Sequence, residues 1–456
     1  MTLRSQALRD FLTELERAGA LHRVSRAADA RFEIAAVLME GAEGPAQYFE
    51  SVRGHAIPVV GNVFNSRARL ARALGVERSA LHEVMLAALR NPIAPVLQSG
   101  PAPVQEVVHD GPIDLAALLP VPTWFERESG AYITAGVIIA KDPQTGRRNI
   151  SIARLRLDGG GRVMAGIAKN HHLNLLAEKA KALGRALPIA VAIGNSAQVL
   201  LGSQMYLGLG DDEYDVAGGL LGEPLRLARC RTVDLEVPAD AEIVLEGELS
   251  AEQPVEEGPV SEFHGFYVDY GPGIAGRITA VTHRRNPIFQ AILPGYAPEH
   301  CLLGAVAIEA VAFHALERAI PAVRRVFVTD GGMGRLHAII VMHRPRPGEG
   351  KRAILLAMGQ VNLFKLVIVV EDDIDPEDWK AVEWSLAARF RGHEDLIVLP
   401  GIKADRCDPV HENLLITKIG MVAATRPGDG EPGSRSEFAR PPMDILERVK
   451  RTIGEY

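Results

Sequence analysis

The step Gly258-Pro259 limits what this chain can build around it. Proline lacks a backbone N–H and fixes φ, so no helix runs through the step. The surrounding stretch, 254–267, reads Pro-Val-Glu-Glu-Gly-Pro-Val-Ser-Glu-Phe-His-Gly-Phe-Tyr and carries two acids, Glu257 and Glu262, five positions apart. On a regular strand an odd spacing sends two side chains to opposite faces. The carboxylates converge only if the Gly-Pro step redirects the chain. The alternative is a polar loop after a strand, with both acids solvated.

Composition sets the outer limits. The chain has 456 residues, 47% of them hydrophobic, enough for a large core and roughly two to four domains. Net charge is −7 and no block of basic residues occurs, so neither nucleic acid nor an anionic membrane is an expected partner. The first residues, Met-Thr-Leu-Arg-Ser-Gln-Ala-Leu-Arg-Asp, lack the uncharged core of a signal peptide. No uninterrupted apolar run is long enough to span a bilayer; 187–201 is broken by Gly194, Asn195, Ser196 and Gln198. Cys230, Cys301 and Cys407 are far apart and show neither metal-ligand spacing nor a disulfide framework. A soluble, cytoplasmic protein is expected.

Leu8, Phe11, Leu12 and Leu15 recur at helical spacing, and Gly19 follows as a stop. Phe32, Ile34 and Val37 mark a strand or a short helix, 57–63 a buried strand, and 67–75 and 80–90 helices. Residues 1–103 thus read as an α/β module whose end, 91–103, is a linker with Pro92, Pro95, Pro101 and Pro103. From 104 the pattern turns to β, with runs at 131–140, 150–157 and 163–168 and a hairpin turn at Asp158-Gly159-Gly160-Gly161. Helices are expected at 173–183 and 211–222, and strands at 188–193, 232–237 and 242–249. Many short strands with few helices predict a barrel-like β domain. A long helix, 299–316, closes this region. Residues 317–425 alternate again, with strands at 323–329, 337–342, 366–370 and 395–400 and helices at 352–358 and 377–390. The tail, 426–456, combines a Gly- and Pro-rich tether, 427–433, with a last helix, 443–453.

Several constellations carry groups suited to a site. Asn149 and Arg154 lie five apart on one strand, where a charged sheet edge is the alternative. Lys169-Asn170-His171-His172 precedes a helix. Adjacent histidines cannot both point inward from a strand, so at most one is a ligand; a solvated helix-entry turn is the alternative. Glu213-Tyr214 opens a helix, where the dipole alone favours an acid. Asn, His and Glu form a hard-leaning donor set, better suited to Mg²⁺ or Mn²⁺ bridging a phosphate than to zinc. Lys365 stands alone as a charge at the head of an apolar strand, or is simply a strand-edge lysine. Gly331-Gly332-Met333-Gly334 is wrongly spaced for a dinucleotide fingerprint and reads as a turn.

Further segments join these in order: Val121-Pro122, Ser129-Gly130-Ala131-Tyr132-Ile133-Thr134, Gly202-Ser203-Gln204-Met205, Gly222-Glu223-Pro224-Leu225, Val237-Pro238-Ala239-Asp240, Glu371-Asp372-Asp373, Asp378-Trp379 and Thr417-Lys418-Ile419-Gly420. With Asn149…Arg154, Glu213-Tyr214 and Glu257-Gly258-Pro259…Glu262-Phe263-His264-Gly265, the chain resembles the UbiD family of decarboxylases, which use prenylated FMN. The match runs nearly end to end.

The resemblance implies an α+β chain with a central split β-barrel flavin-binding domain at 104–316. An N-terminal α/β module at 1–103 and a C-terminal α/β module at 317–425 would flank it. It implies prenylated FMN, Mn²⁺ or Mg²⁺, and K⁺ as cofactors, a flavin prenyltransferase as supplier, and a homo-oligomer, dimer or hexamer. Position by position, Arg154, Glu257 and Glu262 match the catalytic Arg-Glu-Glu set. Asn149, His172 and Glu213 match the metal site; His172 fits better than His171 because the helix starts just after it. Ile152, Ala153, Arg154 and His171 fall in the cofactor-binding segments, and Ser203, Gln204 and Met205 match a segment lining the flavin, with backbone around it serving K⁺. The family often has a second small residue where Gln204 stands. Lys365 matches a lysine reaching the phosphate.

The implied activity is reversible, non-oxidative decarboxylation of an aromatic, heteroaromatic or α,β-unsaturated carboxylic acid through a covalent substrate–prenylated-FMN adduct. Losing CO₂ from such a carbon leaves electrons that no side chain can hold, so a cofactor must take them. Glu262 is the expected proton donor, its pKa raised by burial beside Glu257, while Arg154 keeps Glu257 charged. Tyr296, His300 and Leu303 are expected around the substrate, with His300 and Arg284, Arg285 or Arg324 receiving a second polar or anionic substituent. Two other classes stand against this reading. One is a flavin-binding assembly or accessory protein that keeps the fold without turnover. The other is a plain FMN oxidoreductase, which needs a nicotinamide site that no fingerprint marks.

Overall fold

One antiparallel hairpin organises the largest sheet of the computed structural model, which describes residues 5–426, 439 and 441–455. Its inner part pairs Val137–Lys141 with Arg148–Ile152, and its outer part pairs Tyr132–Ile133 with Arg154–Leu157. Val137, Ile138, Ile139 and Ala140 are all buried, as in a strand covered on both faces. Buried Asp142 holds the turn between the arms: its Oδ1 accepts from the Gln144 and Thr145 N–H groups at 2.8 and 3.3 Å. Its Oδ2 accepts from Nζ of Lys179 at 2.6 Å, and Lys179 lies on the helix His172–Ala182.

The sheet runs from one part of this hairpin round to the other. Val137–Lys141 pairs with Leu187–Ile193, which pairs with Ile243–Glu256. Pro272–His283 and Arg162–Gly166 follow, and Arg162–Gly166 pairs with Arg154–Leu157. Both ends of the path therefore belong to the same hairpin. Gly159 and Gly160, both at positive φ, make the expected tight turn into Arg162–Gly166.

Two further sheets flank this one. Leu21–Val24, Ala46–Phe49 and Val59–Gly61 form the first with Phe289–Gln290, which arrives from much later in the chain. The other is a five-stranded mixed sheet in the order Val323–Val328, His337–Met342, Leu366–Glu371, Leu415–Ala423, Leu396–Lys403. Its central strand, Leu366–Glu371, is an unbroken apolar run with parallel partners on both sides. The helix Pro298–Glu317 packs against Val323–Val328, with proline in its first turn, where the missing N–H costs nothing. It is long and apolar enough to cross a bilayer, yet 83% of its most apolar stretch is buried inside the protein, as in a core helix. Its buried acids are bonded: Glu299 Oε1 accepts from the Phe64 N–H at 2.7 Å, and Glu309 Oε2 from Arg67 Nη1 at 2.9 Å.

Several expectations change. Of the strand and the short helix offered for Phe32, Ile34 and Val37, the structure has the helix, Glu33–Glu40, with Phe32 at φ 71 before it. The 91–103 segment is no free linker, because Val96–Leu97 pairs in parallel with Arg226–Arg229. Prolines hold their predecessors extended, which suits an edge strand. Asn149 and Arg154 sit on the two separate parts of the hairpin arm, not on one strand, with Ala153 between the parts. The strand expected at 232–237 is only Glu236–Pro238, because buried Glu246 takes the Arg231 and Thr232 N–H groups into a turn. The tether at 427–433 lies outside the described residues; the last helix is Met443–Thr452, with no buried side chain.

Candidate active site

Arg154 begins the outer part of the hairpin arm and points at Glu257. Its Nε donates to Oε1 at 2.5 Å and its Nη2 to Oε2 at 2.7 Å, a bidentate pair. Glu257 is 1% exposed, so the pair is held out of water on the carboxylate side. Room for it comes from Gly166, the cross-strand partner of Arg154, where a Cβ would overlap the Glu257 carboxylate. The chain turns at Gly258, whose φ is +75, and this places Glu257 and Glu262 around one guanidinium. Ser129 Oγ and Arg156 Nη1 both donate to the Glu257 carbonyl, at 2.5 and 2.8 Å, fixing the turn.

Glu262 is half-buried. Its Oε1 accepts from the Phe263 N–H at 3.0 Å and its Oε2 from the Tyr270 hydroxyl at 2.8 Å. Burial works to raise its pKa, but Arg154, His300 and these two donors more than offset it, leaving the carboxyl below its ordinary value. The expected raised pKa is therefore not found. The reason is that Arg154 serves both acids. Tyr270 lies between two cations, with the Arg406 guanidinium 4.0 Å and that of Arg154 5.4 Å from its ring centre.

A cavity of about 410 Å³ opens beside Glu262. Asn149, Ile152, His171, His172 and Glu213 line it, as do Ser203, Gln204 and Met205. Asn149 Nδ2 donates to Glu213 Oε1 at 3.1 Å, and the Ile150 N–H to Oε2 at 2.9 Å. Burial pushes the Glu213 carboxyl up to about 8, against the pull of these donors. Asn149 Oδ1 is buried without a partner among the described residues. His171 caps the helix: its Nδ1 accepts from the Leu173 N–H, and burial pushes its pKa down to about 4. His172, one residue on, lines the cavity, and burial lowers its pKa too. Among the described residues no cluster of three His, Cys, Asp or Glu forms a metal site; the set needs Asn149.

Not every expected residue reaches this cavity. Ala153, Arg154 and Glu257 lie behind its wall rather than on it. Lys365 pairs with buried Asp408, Nζ to Oδ1 at 3.1 Å, and does not line the cavity. Leu303 is buried in the core at 3% exposure, and Tyr296 opens onto a different cavity beside Asn65 and Asp330. His300 does line the site, with Nδ1 2.9 Å from the Gly295 carbonyl. Burial lowers its pKa, with Arg335 adding to the effect. None of the arginines expected beside it lines the cavity; Arg284 binds Asp240 and Arg324 binds the Pro321 carbonyl. The cation on the wall is Arg335, which no spacing rule marks.

Three family models match the chain. They describe the 3-octaprenyl-4-hydroxybenzoate carboxy-lyase (UbiD) N-terminal domain over residues 12–89, its Rift-related domain over 96–297 and its C-terminal domain over 301–423. Anhydromevalonate phosphate decarboxylase from Methanothermobacter thermautotrophicus is 34% identical over 400 residues, 87% of this chain and 92% of that protein. The structure of the UbiD-class enzyme HmfF from Pelotomaculum thermopropionicum in complex with FMN has a TM-score of 0.91 at 38% identity, covering 98% of this chain and 99% of that one. An evolved dimeric form of HmfF in complex with prFMN has a TM-score of 0.87 at 37% identity over the same shares.

Proposed function

Because this chain belongs to the UbiD family of carboxy-lyases, we propose that its cavity holds prenylated FMN and that it reversibly decarboxylates an aromatic, heteroaromatic or α,β-unsaturated acid. One observation carries this reading: the Arg154–Glu257 pair with Glu262 beside it at one part of a cavity that Asn149, His172 and Glu213 also line. An accessory protein without turnover has no use for that buried triple.

The metal site fits a divalent cation, Mn²⁺ or Mg²⁺. Among the described residues Asn149 Oδ1 lacks a partner, Glu213 is a buried carboxyl with a raised pKa, and His172 lines the cavity with them. A cation would satisfy all three and anchor the cofactor phosphate. K⁺ would be held by backbone around Ser203 to Met205. When bound, the prenylated flavin supplies the electron sink that the side chains lack.

The remaining steps belong to the protein. Arg154 sets the charge of Glu262 from behind the wall, and Glu257 fixes the guanidinium in one plane. Before substrate binds, Glu262 is ionised near neutral pH. A substrate carboxylate bound beside it adds a like charge, raises its proton affinity and draws a proton onto it. Glu262 then gives that proton to the carbon that has lost CO₂, and takes it back in the reverse direction.

The two ends of the eight-stranded path lie on one hairpin, which supports a split barrel around the flavin, within a domain at 104–316 between modules at 1–103 and 317–425. The free cysteines suit the cytoplasm. A flavin prenyltransferase would supply the cofactor, and the evolved dimer of HmfF makes a homo-oligomer, dimer or hexamer, the expected state. The test is protein co-produced with a prenyltransferase, kept free of oxygen, and mixed with a panel of such acids in D₂O. Deuterium replacing a carboxylate on one acid supports the reading. Bound cofactor without exchange on any acid removes the activity, and no bound flavin removes the site.

A further inference from the structure

Glu262 is held from behind by a tyrosine to which decarboxylation itself assigns no step. The hairpin that pairs Pro259–Ser261 with Tyr267–Asp269 carries Glu262 just past its first strand and Tyr270 just past its second. Gly271, at φ +74, turns the chain there, and its N–H donates to Asp269 Oδ1 at 2.9 Å. The Tyr270 hydroxyl donates to Glu262 Oε2 at 2.8 Å. Burial, with Glu262 beside it, pushes the phenol pKa up, so the hydroxyl keeps its proton and serves as a donor. A glutamate side chain turns about several bonds. Two donors, this hydroxyl and the Phe263 N–H on Oε1, fix one carboxylate plane.

Tyr270 is itself gripped from two sheets. Arg154 belongs to the largest sheet, and its guanidinium lies 5.4 Å from the ring centre. Arg406 comes from the loop between Leu396–Lys403 and Leu415–Ala423 of the five-stranded sheet, and its guanidinium lies 4.0 Å over the same ring. Arg406 Nε is buried without a hydrogen-bond partner among the described residues. The other charged or titratable groups felt here are His300 at Glu262 and Cys407 at Tyr270, the latter a thiol that burial keeps protonated. Neither Tyr270 nor Arg406 lines the cavity, so each reaches a bound acid only through Glu262.

We infer that Tyr270 is the positioning residue of the proton donor: its hydroxyl holds the Glu262 carboxylate, and Arg406, from the five-stranded sheet, holds Tyr270. The inference rests on the carboxy-lyase reading of the cavity. It adds that a side chain outside the cavity, on another sheet, sets the acid.

The test reads the Glu262 carboxyl directly, by infrared pH titration of FMN-loaded protein against Glu262→Gln, and needs no turnover. Tyr270→Phe keeps the ring and removes only the hydroxyl. It should raise the Glu262 midpoint by roughly 0.5–1 pH unit, the share of one hydrogen bond. Arg406→Met should shift it the same way by less, and should add nothing to Tyr270→Phe, because its effect passes through the hydroxyl. In the prenylated holoenzyme, Tyr270→Phe should lower kcat about tenfold with KM little changed. The limb of the kcat/KM pH profile that Glu262 governs should move up by the titration shift, which a general loss of packing would not do. An unmoved midpoint in Tyr270→Phe overturns the inference, as does an Arg406→Met shift that persists in full without the hydroxyl. Wild-type deuterium exchange by Tyr270→Phe with an unmoved pH profile overturns the positioning alone. Shifted midpoints with no exchange on any acid overturn the activity alone.

Discussion

Gly166 stands across the sheet from Arg154, and the missing side chain of the first is the space in which the second meets Glu257. An ideal Cβ there would lie 2.7 Å from Arg154 Nε and closer still to the Glu257 carboxylate. The ion pair therefore depends on a residue with no functional group.

Gly166→Ala should cut turnover by about 100-fold or more while the cofactor stays bound, because overpacking here costs roughly 1–3 kcal/mol and displaces the pair. Rate and flavin absorbance measured on the same sample check this. A wild-type rate would show that the pair tolerates displacement.

Glu262→Gln should keep the holoenzyme spectrum and lose about 10²- to 10⁴-fold in rate, the usual share of a general acid. Deuterium incorporation measures it. Exchange at the wild-type rate assigns the proton to another group.

The depressed pKa of Glu262 has a sign that can be followed. The folded value lies below the unfolded one, so its contribution to stability is present above the unfolded value of about 4.3 and is lost as pH falls through the folded value. At pH 7 the free site holds the carboxylate. Substrate binding should therefore take up protons, approaching about one per site, and Glu262→Gln should take up none. Calorimetry in buffers of different ionisation enthalpy reads the number. Equal proton uptake by both proteins would move the titration elsewhere.

His171 and His172 should separate cleanly. His172→Ala should weaken Mn²⁺ retention by roughly tenfold or more, as should Glu213→Gln. His171→Ala should cost about 1 kcal/mol of stability as a lost helix cap and leave the metal content nearly unchanged. Metal analysis and thermal melts on both variants decide it. Equal metal loss in the two would place both rings on the ion.

Long periodic elements are legible in the chain. Leu8, Phe11, Leu12 and Leu15 bury one face of Leu8–Arg17, and 299–316 falls within Pro298–Glu317. The acids around Gly258 converge as the Gly-Pro step allows. Where tertiary placement decides, spacing is silent. Pro298–Glu317 is buried nearly all round, so nothing in its pattern separates His300, at the cavity, from Leu303, in the core. Gly331-Gly332-Met333-Gly334 is indeed a turn, but only the fold shows that it delivers Arg335 to the cavity wall. Val96–Leu97 is too short to show any period. The charge state of Glu262 depends on Arg154, more than a hundred positions earlier, and on a distance that spacing does not contain.

The Asp142 turn governs more than its own loop. A strand slipped by one residue shows its opposite face, so the register of this hairpin decides whether Asn149 looks into the cavity and Arg154 toward Glu257. Lys179 ties the same turn to the helix that begins with His172. One buried carboxylate thus keeps time for the site: Asn149 and the Arg154 guanidinium come into phase together or miss together, although Asp142 touches neither.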